Sequence, residues 1–179
     1  MPRSTEPPNA RDLTALLGAF CFFLSAVEYM IPKPLPFMRL GIANLPILLA
    51  IDLLPLPWCL VLALVKVVGM SLISGSLFSY VALFSLAGTL AATLVMWGAR
   101  RAFGRLVSAV GVSTLGAVSS NAVQLLAARA FVFGEAARLV APAFLATGLV
   151  TGAALGLFAR RFAESSAWYA SVSGANDVA

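Results

Sequence analysis

The 179-residue chain is 61% hydrophobic and 11% charged, with 12 lysines and arginines against 7 acids and a net charge of +5. Those proportions exclude a soluble globular domain, and so apolar a chain has no solvated basic face with which to bind nucleic acid. Histidine is absent, and the two cysteines, Cys21 and Cys59, lie inside apolar runs, so neither a disulfide framework nor a metal or other cofactor is expected.

Residues 1–12 are polar, with Pro2, Pro7 and Pro8, and read as a cytoplasmic tail. Leu13 to Met30 is the first predicted span. It is too long for the apolar region of a signal peptide and lacks a small-residue cleavage site. Pro32, Pro34 and Pro36 end it by removing backbone donors. The next predicted spans are Leu40 to Leu54, which is slightly short, Pro57 to Ser74, Leu77 to Trp97, Leu106 to Phe133 and Leu139 to Phe158. At roughly 20 residues per crossing, residues 13–161 are expected to form an all-α, polytopic membrane domain of six transmembrane helices. Residues 162–179 are expected to be a second cytoplasmic tail, disordered from Glu164 onward.

Arg3, Arg11, Arg100, Arg101, Arg105, Arg160 and Arg161 fall on one side of that arrangement. The other side holds Lys33, Arg39 and Arg138, with Arg129 near its end of the fifth span. Because positive flanks resist translocation, both termini are expected in the cytoplasm, with the chain in the inner membrane.

Helices in lipid associate by close approach, so small residues mark their seams. Gly148, Gly152 and Gly156 recur at four-residue spacing in the sixth span, Ala15 and Ala19 do so in the first, and Ser85, Gly88 and Ala92 form a similar stripe in the fourth. Such stripes serve either packing within the chain or the docking of a partner subunit.

A charge at membrane depth costs about 2.5 kcal/mol or more and persists only with a partner or a task. The polar residues within the spans are Glu28, Asn44, Asp52, Lys66, Asn121, Gln124 and Arg129. Lys66 falls near mid-membrane, and Asn121 and Gln124 share one helix face, which Ser113, Ala117 and Ser120 continue. With Arg39 and the turn from Gly75 to Ser79, nearly all of these groups converge on the outward half, and only Asp52 lies near the cytoplasmic end. Two arrangements are open: a Glu28–Lys66 ion pair with amides locking the helices together, or an outward pocket of net positive charge suited to a carboxylate or phosphate.

The run Glu28-Tyr-Met-Ile-Pro with Arg39-Leu-Gly-Ile-Ala-Asn44, then Gly75-Ser-Leu-Phe-Ser79, Ser85-Leu-Ala-Gly88 with Leu94-Val-Met96, and Gly116-Ala-Val-Ser-Ser-Asn121 with Gln124 resembles the Gx transporter family, also labelled heptaprenyl diphosphate synthase component I. The resemblance covers roughly Leu13 to Arg161. It implies a six-helix bundle similar to the substrate-binding S components of energy-coupling factor transporters, with energy-coupling membrane and ATPase subunits as partners. It also implies substrate binding by Glu28, Arg39, Asn44, Lys66, Ser76, Ser79, Asn121 and Gln124, and partner docking by Ala15 and Ala19. The family pattern often has a histidine before the asparagine of the fifth span, where this chain has Ser120, so no role here rests on imidazole.

Prenyl chain elongation needs clustered aspartates to hold magnesium against a diphosphate leaving group. This chain has only Asp12, Asp52 and Asp177, never adjacent, and no phosphate-binding glycine-rich loop. The chain is therefore expected not to be an enzyme. It is expected to bind a small anionic or amphiphilic substrate from the outer face, or else to serve as a non-catalytic accessory component of prenyl diphosphate synthesis or of a membrane redox assembly.

Overall fold

The computed structural model describes residues 9–31 and 41–176, so Arg39 and its flanking prolines lie outside the described residues. Among the described residues every element is helical: α1 (Ala10–Met30), α2 (Leu45–Ala50), α3 (Leu56–Ile73), α4 (Tyr80–Phe103), α5 (Ala109–Ala128), α6 (Ala137–Ser165) and α7 (Ala167–Asn176). Four helical stretches among the described residues are long and apolar enough to cross a membrane: Ala10–Met30, Leu56–Ile73, Tyr80–Phe103 and Ala109–Ser165. The last stretch holds 57 residues. It breaks at Gly134, whose φ of 53° and ψ of −134° no helix accommodates, and α6 folds back along α5, the most extensive helix pair in the protein.

α1 and α3 run in the same direction, with Gly18 facing Val65 and Gly69 facing Phe22. From α3 to α6 the long helices alternate, giving the bundle a near face, where α1 begins, and a far face, where α1 ends. Contacts run α1–α3–α4–α5–α6, and α2 touches each of the five. α1 buries Leu13, Leu17, Cys21, Ser25 and Glu28 at helical spacing and leaves Leu16, Phe20 and Phe23 exposed. On helices of spanning length, such apolar exposure is the surface that hydrocarbon covers.

The stretch Leu40 to Leu54 differs from its prediction as a spanning helix. Ile42–Asn44 is a single 3₁₀ turn, and α2 has six residues, all buried. From Ile42 to Leu54 the rise is about 20 Å at 1.5 Å per residue, against about 30 Å of hydrocarbon. Non-helical backbone at membrane depth survives only where protein satisfies its polar groups. Here the Glu28 carboxylate accepts hydrogen bonds from the backbone N–H groups of Gly41 and Ala43, both at 3.2 Å. Two buried thiols donate to carbonyls of the same segment, Cys21 to Ala43 at 3.6 Å and Cys59 to Leu54 at 3.6 Å.

At the near face Asp52 pairs with Arg100 at 2.8 Å, and Arg100 also donates to the Val107 carbonyl at 3.0 Å, joining the ends of α2, α4 and α5. The expected disorder after Glu164 is corrected: α6 runs to Ser165 and α7 docks, with Tyr169 and Val172 buried in the main core and Tyr169 edge-on to Phe162. These apolar residues are too few to raise the tail's hydropathy, but at helical spacing they suffice to dock one short helix.

Burial pushes the Tyr169 hydroxyl up to about 12, with Asp52 adding to the rise and Arg100 opposing it. A folded-state value above the unfolded one favours the neutral phenol in the docked helix. The stability that Tyr169 contributes is therefore complete below about pH 10 and is lost as pH rises through 12. In a spectrophotometric titration, the tyrosinate absorbance that disappears on Tyr169→Phe should emerge in that window. Emergence near pH 10 would mean that α7 is undocked.

Candidate functional site

Lys66 lies midway along α3 and is 3% exposed, with its ammonium donating to the Thr89 hydroxyl of α4 at 3.0 Å. Thr89 was not anticipated from the sequence. The signal available was the four-residue spacing of Ser85, Thr89 and Thr93, which puts three hydroxyls on one face of α4, and all three are buried.

The amides come from α5. Asn121 donates from Nδ2 to the Phe144 carbonyl of α6 at 2.7 Å, and Gln124 donates from Nε2 to the Ser120 hydroxyl at 2.9 Å. Glycines on the flanking helices make room for both. A Cβ added at Gly148 would lie 2.5 Å from Asn121 Nδ2, and one at Gly88 would lie 2.6 Å from Gln124 Nε2. Farther along the same seam Gly152 and Gly156 face the backbone of α5 at Thr114 and Val110. Small residues and polar residues, two separate signals in the sequence, thus form one arrangement: the glycines admit the amides between the helices.

Lys66, Asn121, Gln124 and Ser120 surround a cavity of about 20 Å³, with Asn44, Gly41, Ala117 and Thr151 completing its wall. A second cavity of about 20 Å³, sharing Gly41, Asn44 and Ala117, continues it between α2, α4, α5 and α6. Each has room for about one water. The Asn44 Oδ1 atom is buried and has no hydrogen-bond partner among the described residues, an orphan acceptor in a chamber otherwise rich in donors. Such a chamber suits a group that accepts from Lys66 and donates to Asn44.

Of the residues that the resemblance implies for substrate binding, Asn44, Lys66, Asn121 and Gln124 come together here. Glu28 does not line the cavity; it holds the backbone of Gly41 and Ala43 and so shapes the wall from behind. Ser76 and Ser79 lie in the far-face turn between α3 and α4, where Ser79 donates to the Ser76 carbonyl at 2.8 Å and the Ser74 and Ser76 hydroxyls pair at 2.6 Å. Their bonds are local to the turn. Arg129 pairs with Glu135, which also holds Arg138 at 2.9 Å, away from the cavity. Ala15 and Ala19 are exposed on the outer face of α1. Among the described residues no cluster of histidine, cysteine and acidic groups could hold a metal.

No curated protein matches the chain, and no solved structure does. The family model of heptaprenyl diphosphate synthase component I matches residues 17–162, from the second turn of α1 to the last turn of α6. That span includes every element around the cavity, and the chain belongs to the heptaprenyl diphosphate synthase component I family.

Proposed function

We propose that the protein is the substrate-binding subunit of a membrane transporter, taking a small anionic or amphiphilic molecule from the outer face. The observation that carries this reading is Lys66: a cation at mid-membrane depth, at the wall of an enclosed polar cavity with two amides and an unpaired acceptor. A cation so placed persists only with a partner or a task, and an anionic group bound in this cavity supplies the task. The cavity holds only water-sized groups, so a larger ligand enters by separation of α2 from α5 and α6.

In this reading the chain makes six passes, the short α2 segment being an interior one, and lies in the inner membrane with its near face in the cytoplasm. Fusion reporters at Met1 and Ala179 should both report the cytoplasm; two external signals would reverse the orientation. The exposed Ala15 and Ala19 let another helix approach α1 closely, which suits an energy-coupling membrane subunit working with an ATPase. The chain itself has no catalytic role.

Lys66→Met keeps length while removing charge. Wild-type protein analysed by native mass spectrometry should carry a co-purified small molecule, and the variant should fold, insert and lose it. A wild type with no adduct would count against the reading. If Lys66 is only a structural charge, Lys66→Met should instead lose thermal stability while still carrying the co-purified molecule.

The family description favours a second reading, a non-catalytic accessory component of prenyl diphosphate synthesis. It requires a soluble synthase that co-purifies with the near face, and charge reversal at the exposed Arg101 should release that enzyme while leaving bound small molecules in place.

A further inference from the structure

A second cavity system lies on the opposite side of α3 from Lys66. It is a groove of about 250 Å³ between α3 and α4, walled by Leu64, Val67 and Val68 on one side and Leu83 and Leu86 on the other, with Ser71 and Ser79 at its far-face end. It shares no residue with the polar cavity, and none of its lining residues is charged.

Three observations identify its occupant. Leu64, Val68 and Leu83 are exposed to between 45% and 60% on helices of spanning length, so the groove is continuous with the surface that bilayer hydrocarbon covers. The groove is polar at one end only. Leu64 lies about 10 Å along α3 from Ser71, toward mid-membrane, while the serines and the exposed aromatic rings of Phe78 and Tyr80 sit at the far-face end. Tyrosine concentrates at headgroup level, so polarity along the groove follows that of a lipid from head to tail. Finally, the Ser71 hydroxyl is fully buried and has no hydrogen-bond partner among the described residues. A buried polar group without a partner calls for one.

We propose that this groove is a saturable site for a single-chain amphiphile with an uncharged, hydrogen-bonding head, drawn laterally from the bilayer. Its volume admits about eight methylene-sized groups at roughly 30 Å³ each, which in extended form match the 10 Å length. A charged head would meet no counter-charge here, whereas a hydroxyl completes Ser71. The site stands apart from the transport reading and depends only on the helices lying in a membrane.

The experiment uses the full chain in lipid nanodiscs and a long-chain fatty alcohol bearing a photoactivatable diazirine, with labelled residues mapped by mass spectrometry. Labelling at Leu64, Val67 and Leu83 should saturate and be competed by unlabelled alcohol. Val68→Trp, an exposed position that fills the groove without entering the core, should lower it several-fold. Leu72→Trp, exposed on the same helix but outside the groove, should leave it unchanged. Ser71→Ala should weaken the alcohol several-fold while leaving an alkane probe of equal length unaffected. Labelling that grows linearly with probe, equals that at Leu72 and Leu94, or ignores Val68→Trp would overturn the site as ordinary lipid solvation. An alcohol affinity indifferent to Ser71→Ala would overturn the assignment of the head.

Discussion

Gly152→Leu is expected to lower the melting temperature in detergent sharply, because its side chain would have to occupy the backbone of the neighbouring helix. A Cβ at Gly152 lies 2.9 Å from the Thr114 Cα and 3.2 Å from the Ser113 carbonyl oxygen. Side chains can rotate away from an intruder, but the α5 main chain can yield only by moving the whole helix. Overpacking costs typically about 1–3 kcal/mol, and a leucine brings three carbons beyond the Cβ, so the upper part of that range applies. Separation of α5 from α6 would also break the Asn121 bond to the Phe144 carbonyl, linking the loss of stability to a loss of ligand binding. Gly98→Ala supplies the comparison, since nothing lies within 4 Å of a Cβ there and alanine favours the helix by about 1 kcal/mol. An unchanged melting temperature for Gly152→Leu would put that face of α6 against lipid.

Glu28→Ala is expected to be as damaging for a different reason. Two backbone N–H groups, those of Gly41 and the fully buried Ala43, lose their acceptor. Each unsatisfied buried donor costs about 1–3 kcal/mol, and the carboxylate also lies at the start of a helical segment, where negative charge is favourable. Glu28→Gln keeps one oxygen acceptor and should fall between wild type and alanine in thermal stability. Both changes should act on ligand binding through the position of Asn44, which follows Ala43 directly. Equal melting temperatures for alanine, glutamine and wild type would show that the 3₁₀ turn is held by other contacts.

The long helices were legible in the sequence because transfer into hydrocarbon is a local property, summed over consecutive residues and indifferent to distant partners. The same logic exposed Lys66, Asn121 and Gln124, each an anomaly against an apolar background, and the repeat of Gly148, Gly152 and Gly156. The α2 segment was not legible as a short helix: Leu45 to Leu54 is as apolar as a span, and only the surrounding helices show that it is buried on every side. Glu28 stood out for its charge, yet its bonds to Gly41 and Ala43 depend on how the chain returns after α1, which hydropathy does not encode. Ser76 and Ser79 were near the far face as expected, but a tight turn directs their hydroxyls to one another's neighbourhood and away from the cavity. Composition and period thus determined that the chain is a helical membrane protein and which polar groups it buries. The partners of Lys66, Asn121 and Glu28 were decided by the tertiary structure, because a hydrogen bond is directional and short-ranged and the two ends of these come from different elements, whereas the bond of Gln124 to Ser120 stays within α5.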